Sequence, residues 1–246
     1  ATSKAAPDGY TISLVGSGFV MHPALMKSLP YDATKDFTAV GLIVESTQAL
    51  VTNPSLPVKN LKELITLARA RPGQLNYGSS GPGTNTHLSG VLFNLLAKVN
   101  TVHVPYKSTP PMLVDVMAGQ IEMSYPGIAS VAEHVKIGRL RMVAQTGNRR
   151  SAAAPEVPTM QEAGVQNMQM DASWHGLLAP SKTPPAILSR IEQEARKAVA
   201  TPHVREQFAK IELKPVGSSA AEFRALLVQA IPKFAEIVKI AGIQPE

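Results

Sequence analysis

The chain has 246 residues, 44% of them hydrophobic and 5% aromatic, with no cysteine and a formal net charge of +6. That length admits one large domain or two modest ones with an aliphatic core, and the absence of cysteine excludes disulfides, thiol nucleophiles and metal–thiolate sites. No run approaches the roughly 18–20 apolar residues of a membrane span. Ala1-Thr2-Ser3-Lys4 lacks the apolar segment of a signal peptide, and the basic residues are scattered without aromatic interleaving, so nucleic acid is not an expected partner.

Short β-rich runs alternate with helical patterns, which argues for an α/β fold. Tyr10–Val15 is expected as a strand leading into Gly16-Ser17-Gly18, and Ala39–Val44 and Ala49–Thr52 as two more. Asn60 to Arg71 is expected as a helix. Asn60 can cap it, Glu63 follows three residues on, Leu61, Leu64, Ile65 and Ala68 share a face, and Pro72-Gly73 ends it. Leu75–Tyr77 is a strand that meets a Ser/Gly turn and then a helix carrying Leu88, Leu92 and Leu95/Leu96 on one side.

Further strands are expected at Thr101–Val104, Ile121–Tyr125, Leu140–Gln145 and Trp174–Ala179. Pro110–Ala118 and Ala129–Ile137 are expected helices, stopped by Gly119 and Gly138. Gly147 to Gly164 is rich in turn residues. After Ala179 only helices are expected. Thr183-Pro184 and Thr201-Pro202 each place Thr at the N-cap and Pro at the first helical position. Ser219 and Glu222 form a capping box ahead of Phe223, Leu226, Leu227 and Ala230, and Pro232 should kink or end that helix. The chain reads as one that leaves a first lobe, builds a second and returns: 1–50 and 172–246 form lobe I, and 51–171 form lobe II.

Enzyme motifs fail one after another. Gly78-Ser79-Ser80-Gly81 has the wrong spacing for a nucleophile elbow. Gly81-Pro82-Gly83 lacks the third glycine of a dinucleotide fingerprint. None of the six histidines pairs at helical spacing with a second ligand, so no metal and no cofactor is expected. Ser80 and His87 could serve an esterase only if an acid oriented the histidine, and none is placed to do so.

The segment from Tyr77 to Leu88 stands out. A strand ends, small residues turn, and a helix begins. The first turn of a helix offers free N–H groups and the positive end of its dipole, and small residues let an anion approach. Ser79, Ser80, Gly83, Thr84, Asn85 and Thr86 are therefore the candidate anion seat. The alternative is that Thr84 merely caps the helix and the glycines merely turn. Ser17 and Gly18 lie at a strand's carboxyl end, where α/β sheets bind ligands. Trp174, the single tryptophan, is either core packing or part of a cleft.

These segments together resemble the tripartite tricarboxylate transporter substrate-binding family, the Bug-type periplasmic proteins. The matching stretches include Ala6-Pro7-Asp8-Gly9-Tyr10-Thr11, Leu29-Pro30-Tyr31-Asp32, Asn53-Pro54-Ser55-Leu56-Pro57 and the Ser80–Leu88 turn. Later matches are Val104-Pro105-Tyr106-Lys107, Pro155-Glu156-Val157-Pro158-Thr159, Ser173-Trp174 with Gly176–Pro180, and Ala241-Gly242-Ile243. The resemblance implies a two-lobed α/β fold of the periplasmic-binding-protein type II kind. It also implies a monomer in the periplasm that delivers a carboxylate to membrane permease subunits. In such proteins backbone N–H groups and small hydroxyls hold the carboxylate, partly through water.

Three departures from the family follow. The family's opening strand, ligand loop, next helix and second strand are not in this sequence, which starts within the helix before Pro7. On that comparison lobe I is N-terminally truncated and its side of the ligand site incomplete. Many members have Asp where Pro126 stands, an acid suited to a ligand's amino group; Pro126 points to a plain mono- or dicarboxylate, with Pro126 and Trp174 shaping an apolar wall. The family often has Glu at Val91, to which no consequence is assigned. The expected function is carboxylate capture for a transporter. A periplasmic sensor feeding a membrane signalling partner is the alternative.

Overall fold

A computed structural model of the chain describes residues 2–168, 173–211, 213–240 and 242. The chain divides into two compact units, one of Ala1–Glu45 with Trp174–Glu246 and one of Ser46–Ser173. Ala49 and Leu50 thus group with the second unit, whereas the sequence reading assigns them to lobe I.

The elements follow from local signals, with informative exceptions. β1 (Ser13–Gly16) is shorter than the expected run. α1 (Gly18–Leu25) was not expected, because a glycine start and Pro23 argue against a helix. Burial of Phe19, Val20 and Met21, packed towards the C-terminal helix, overrides that weak propensity. β2 (Phe37–Ser46) and β3 (Ala49–Thr52) fall where expected. α2 (Leu61–Ala70) is started by Asn60, whose Oδ1 accepts from the Glu63 N–H at 3.0 Å. Glu63 reaches back to the Lys59 N–H at 2.7 Å, and Leu61, Leu64 and Ala68 form the buried face.

Next come β4 (Asn76–Ser79), α3 (Asn85–Ala97), β5 (Val102–Pro105) and α4 (Thr109–Ala118). Gly119 ends α4 at φ 73°, a conformation that favours glycine. After β6 (Met123–Ser124), the helix expected from Ala129 is split into a 3-10 turn at Ile128–Ser130 and a short α5 (Ala132–Lys136). β7 (Arg141–Gln145) and β8 (Ser173–Pro180) follow.

The last elements are α6 (Pro185–Ala200), α7 (Pro202–Lys210), β9 (Lys214–Pro215) and α8 (Ala220–Ile240). Thr201 caps α7 by accepting from the Val204 N–H. Thr183 does not cap α6: Pro184 is extended (ψ 139°) and Pro185 opens the helix, because a residue before proline is kept out of the helical region. α8 begins with the expected box, Ser219 Oγ accepting from Glu222 N and Glu222 Oε2 from Ser219 N. It does not end at Pro232. Phe223, Leu227 and Ala230 before the proline, and Phe234, Ile237 and Val238 after it, are all buried. The continuous apolar face offsets the lost backbone hydrogen bond.

The first sheet has the order β1-β8-β2-β9. β1 pairs antiparallel with β8, Gly16 facing His175, and β2 antiparallel with β9, Glu45 facing Lys214. Trp174 of β8 is buried and meets Phe223 edge-on, ring centroids 5.2 Å apart. The second sheet has the order β5-β4-β6-β3-β7, with β4 parallel to both neighbours and β3 antiparallel to β6 and β7. Its core joins Ala49, Val51, Met112, Leu113, Val116 and Ile121.

α3 lies close against this sheet, and Gly90 makes that possible. A Cβ there would stand 2.1 Å from Tyr77 Cε2, and the Tyr77 ring is fully buried with no room to give. Gly90→Ala is expected to destabilise the fold by about 1–3 kcal/mol through overpacking, read as a lowered urea midpoint. An unchanged midpoint would contradict this packing.

Candidate functional site

The candidate seat lies wholly within the second unit, between β4 and α3. β4 delivers Ser79 at its carboxyl end, buried against β5 and β6. The chain then turns through Gly81 at φ 130° and Gly83 at φ 69°. Both angles are readily adopted by glycine alone. Thr84 closes the turn as the N-cap of α3.

Hydrogen bonds inside the turn decide which donors remain for a ligand. Thr84 Oγ1 donates to the Gly81 carbonyl at 2.7 Å and accepts from the His87 N–H. Thr86 Oγ1 lies 2.8 Å from Thr84 Oγ1 and 3.0 Å from Ser80 Oγ, and it accepts from the Ser80 N–H at 2.8 Å. Each hydroxyl has one proton. With Thr84's proton on Gly81, Thr86 donates to Thr84, and Ser80 donates to Thr86. Thr84 is therefore engaged in its cap. The Ser80 hydroxyl heads this relay and can turn away, because Thr86 Oγ1 keeps the Ser80 N–H.

The backbone N–H groups divide the same way. Gly81 donates to Ser79 Oγ and Gly83 to His87 Nδ1, both at 3.1 Å. Leu88 N–H bonds the Thr84 carbonyl. Among the described residues no partner meets the Thr86 N–H, so it and the Ser80 hydroxyl are donors this turn can offer. Asn85, at the first helical position, has interactions of its own.

The remaining sequence candidates sit as follows. Ser17 is buried at the N-cap of α1 and Gly18 is that helix's first residue, both in the first unit. Trp174 also belongs to the first unit, where its ring packs on Phe223 in the core. Pro126 is buried in the second unit, its carbonyl accepting from the Ala49 N–H. Ser80 and His87 form no pair: Ser80 Oγ meets Thr86, and His87 Nδ1 accepts from Gly83.

A histidine pair beneath the turn escaped the sequence reading. His87 of α3 and His103 of β5 stack with centroids 4.0 Å apart and planes 19° from parallel. His103 Nε2 lies 2.6 Å from Ser79 Oγ. The signal was the parallel register of β4 and β5, which sets Tyr77 beside His103 and cannot be read from either strand alone. Burial first, and the charge of His87 second, lower the His103 pKa to about 4. Among the described residues no group of three His, Cys, Asp or Glu side chains could hold a metal ion. No helix among them is long and apolar enough to cross a membrane.

Solved structures share this architecture. A protein from R. palustris, Rpa4515 with adipate, is 30% identical with a TM-score of 0.88, covering 100% of this chain and 82% of that one. The periplasmic binding protein BugD is 26% identical with a TM-score of 0.86, covering 100% and 82%. MatC from Rhodopseudomonas palustris, with bound malate, is 27% identical with a TM-score of 0.82, covering 96% and 82%. Fold and neighbours define the class: an α/β protein with the two-lobed periplasmic-binding-protein fold, built on two separate sheets. Residues 1–243 match the family model described as the tripartite tricarboxylate transporter family receptor. The chain belongs to that family.

The low His103 pKa has a consequence for stability. The unfolded chain takes up a proton near the ordinary value of 6.5, and the folded chain only near 4. The stability from this group is complete above about pH 6.5 and is lost as the pH falls towards 4. Allowing for partial exposure, the loss is expected to be about 1–2 kcal/mol. Urea unfolding at pH 7 and 4.5 should show wild type losing that much more than His103→Gln. Equal losses would contradict it.

Proposed function

We propose that this chain is an extracytoplasmic solute-binding protein, not an enzyme. It captures a small mono- or dicarboxylate in the periplasm for the permease subunits of a tripartite tricarboxylate-type transporter. The carboxylate sits at the turn between Ser80 and Thr86. The observation that carries this is the set of donors left by the turn: the Ser80 hydroxyl and the Thr86 N–H, at the positive end of a 13-residue helix. Such a seat takes an anion without a charged side chain.

Two further points support this reading. The family is that of transporter receptors, and the structures of two similar proteins carry adipate and malate. Pro126 offers no charge to an ammonium group, which favours acids without an amino group. Ser79, Gly83, Thr84 and Asn85 shape the seat.

Calorimetry against adipate, malate, acetate and glutamate tests the proposal. Binding of at least one plain carboxylate, and none of glutamate, is expected; no binding to any acid overturns it. Ser80→Ala should weaken that binding by about 1–3 kcal/mol, the usual loss for a hydrogen bond to a charged group, with little change in stability. Thr84→Ala should cost about 0.5–2 kcal/mol of stability as a lost cap. Unchanged affinity in Ser80→Ala would move the anion elsewhere.

A further inference from the structure

Imidazoles hold the turn from two sides. On one side His87 Nδ1 accepts the Gly83 N–H at 3.1 Å. On the other, His103 Nε2 meets Ser79 Oγ at 2.6 Å. Ser79 Oγ in turn holds Gly81 by both its N–H and its carbonyl, each at 3.1 Å. The two rings are stacked on each other, and Tyr77 stacks on His103 with centroids 5.1 Å apart.

This arrangement requires neutral rings. An Nδ1 that accepts an N–H carries no proton, so the His87 proton is on Nε2. Two imidazolium ions 4.0 Å apart would repel strongly in a half-buried site. Tyr77 of β4 stacks on His103, and Tyr125 of β6 lies behind it. Burial pushes both phenols up, so neither adds charge.

We infer that His87 and His103 are the positioning residues of the carboxylate seat. As a stacked, neutral pair they fix Gly81 and Gly83, and so the backbone from which the Ser80 hydroxyl and Thr86 N–H are presented. This rests on the carboxylate reading above. Two glycines in a short turn carry wide conformational freedom. Without the anchors, a ligand would have to order the turn as it bound, at a cost in affinity. Neither histidine is asked to touch the ligand. Ser79 is buried, and its contact with His103 is a brace rather than a nucleophile and base.

The test has an arm that needs no ligand. In the uniformly 15N-labelled chain at pH 8, a through-hydrogen-bond coupling between the Gly83 amide nitrogen and His87 Nδ1 is expected. It should vanish when acid protonates Nδ1. Its absence at pH 8 overturns the inference. The second arm is calorimetry with adipate. His87→Ala and His103→Ala should bind about tenfold more weakly. His87→Asn, which sets an amide oxygen where Nδ1 stood, and His103→Gln, which sets its amide where Nε2 stood, should stay within about threefold of wild type. Equal losses in the alanine and amide variants would mean a bulk structural role and overturn it. Should wild type bind no acid, the carboxylate reading fails on its own. The amide shifts of Gly81 and Gly83 then decide, expected near wild type in the amide variants and displaced in the alanine ones. Displacement in all four overturns the inference.

Discussion

The hydrogen bond from the Gly83 N–H to His87 Nδ1 closes a turn whose glycines would otherwise leave it without a fixed shape. The Thr84 cap fixes the start of α3, and Ser79 fixes Gly81. The helix end, its dipole and the hydroxyl relay have a defined direction because these bonds are made together. None of them involves a formal charge. The chain uses neutral donors and acceptors at the spot where a charged ligand is proposed to sit.

That choice has an electrostatic consequence. A lysine or arginine in the seat would hold an anion strongly and need counter-ions when empty. A helix end with about half an elementary charge attracts a carboxylate more gently. It also tolerates emptiness, since the hydroxyl relay satisfies itself from Ser80 to the Gly81 carbonyl. A seat of this kind suits the proposed role of capturing a ligand and handing it over.

Much of the fold was legible in the sequence, and at two places burial outweighed the local signal. Asn60 with Glu63, Thr201 before Pro202 and Ser219 with Glu222 are local devices, and each forms as its spacing implies. α1 was missed because Gly18 and Pro23 argue against a helix that only burial of Phe19, Val20 and Met21 sustains. For the same reason α8 does not end at Pro232, since its apolar face continues beyond it. At the seat, the order of small polar residues was visible, but their division of labour was not. Thr84 and Thr86 look alike in sequence, yet one caps and the other relays. His87 and His103 lie on different elements, and they meet only because α3 packs against β4 and β5.

A carboxylate is proposed to bind at the N-terminal end of α3. Titration of the 15N-labelled chain with adipate, followed by amide chemical shifts, tests it most directly. The largest changes are expected on Thr86 and Ser80, with the Thr86 amide moving downfield as it gains a charged acceptor. Saturable binding whose largest changes lie outside residues 79–87 would contradict it.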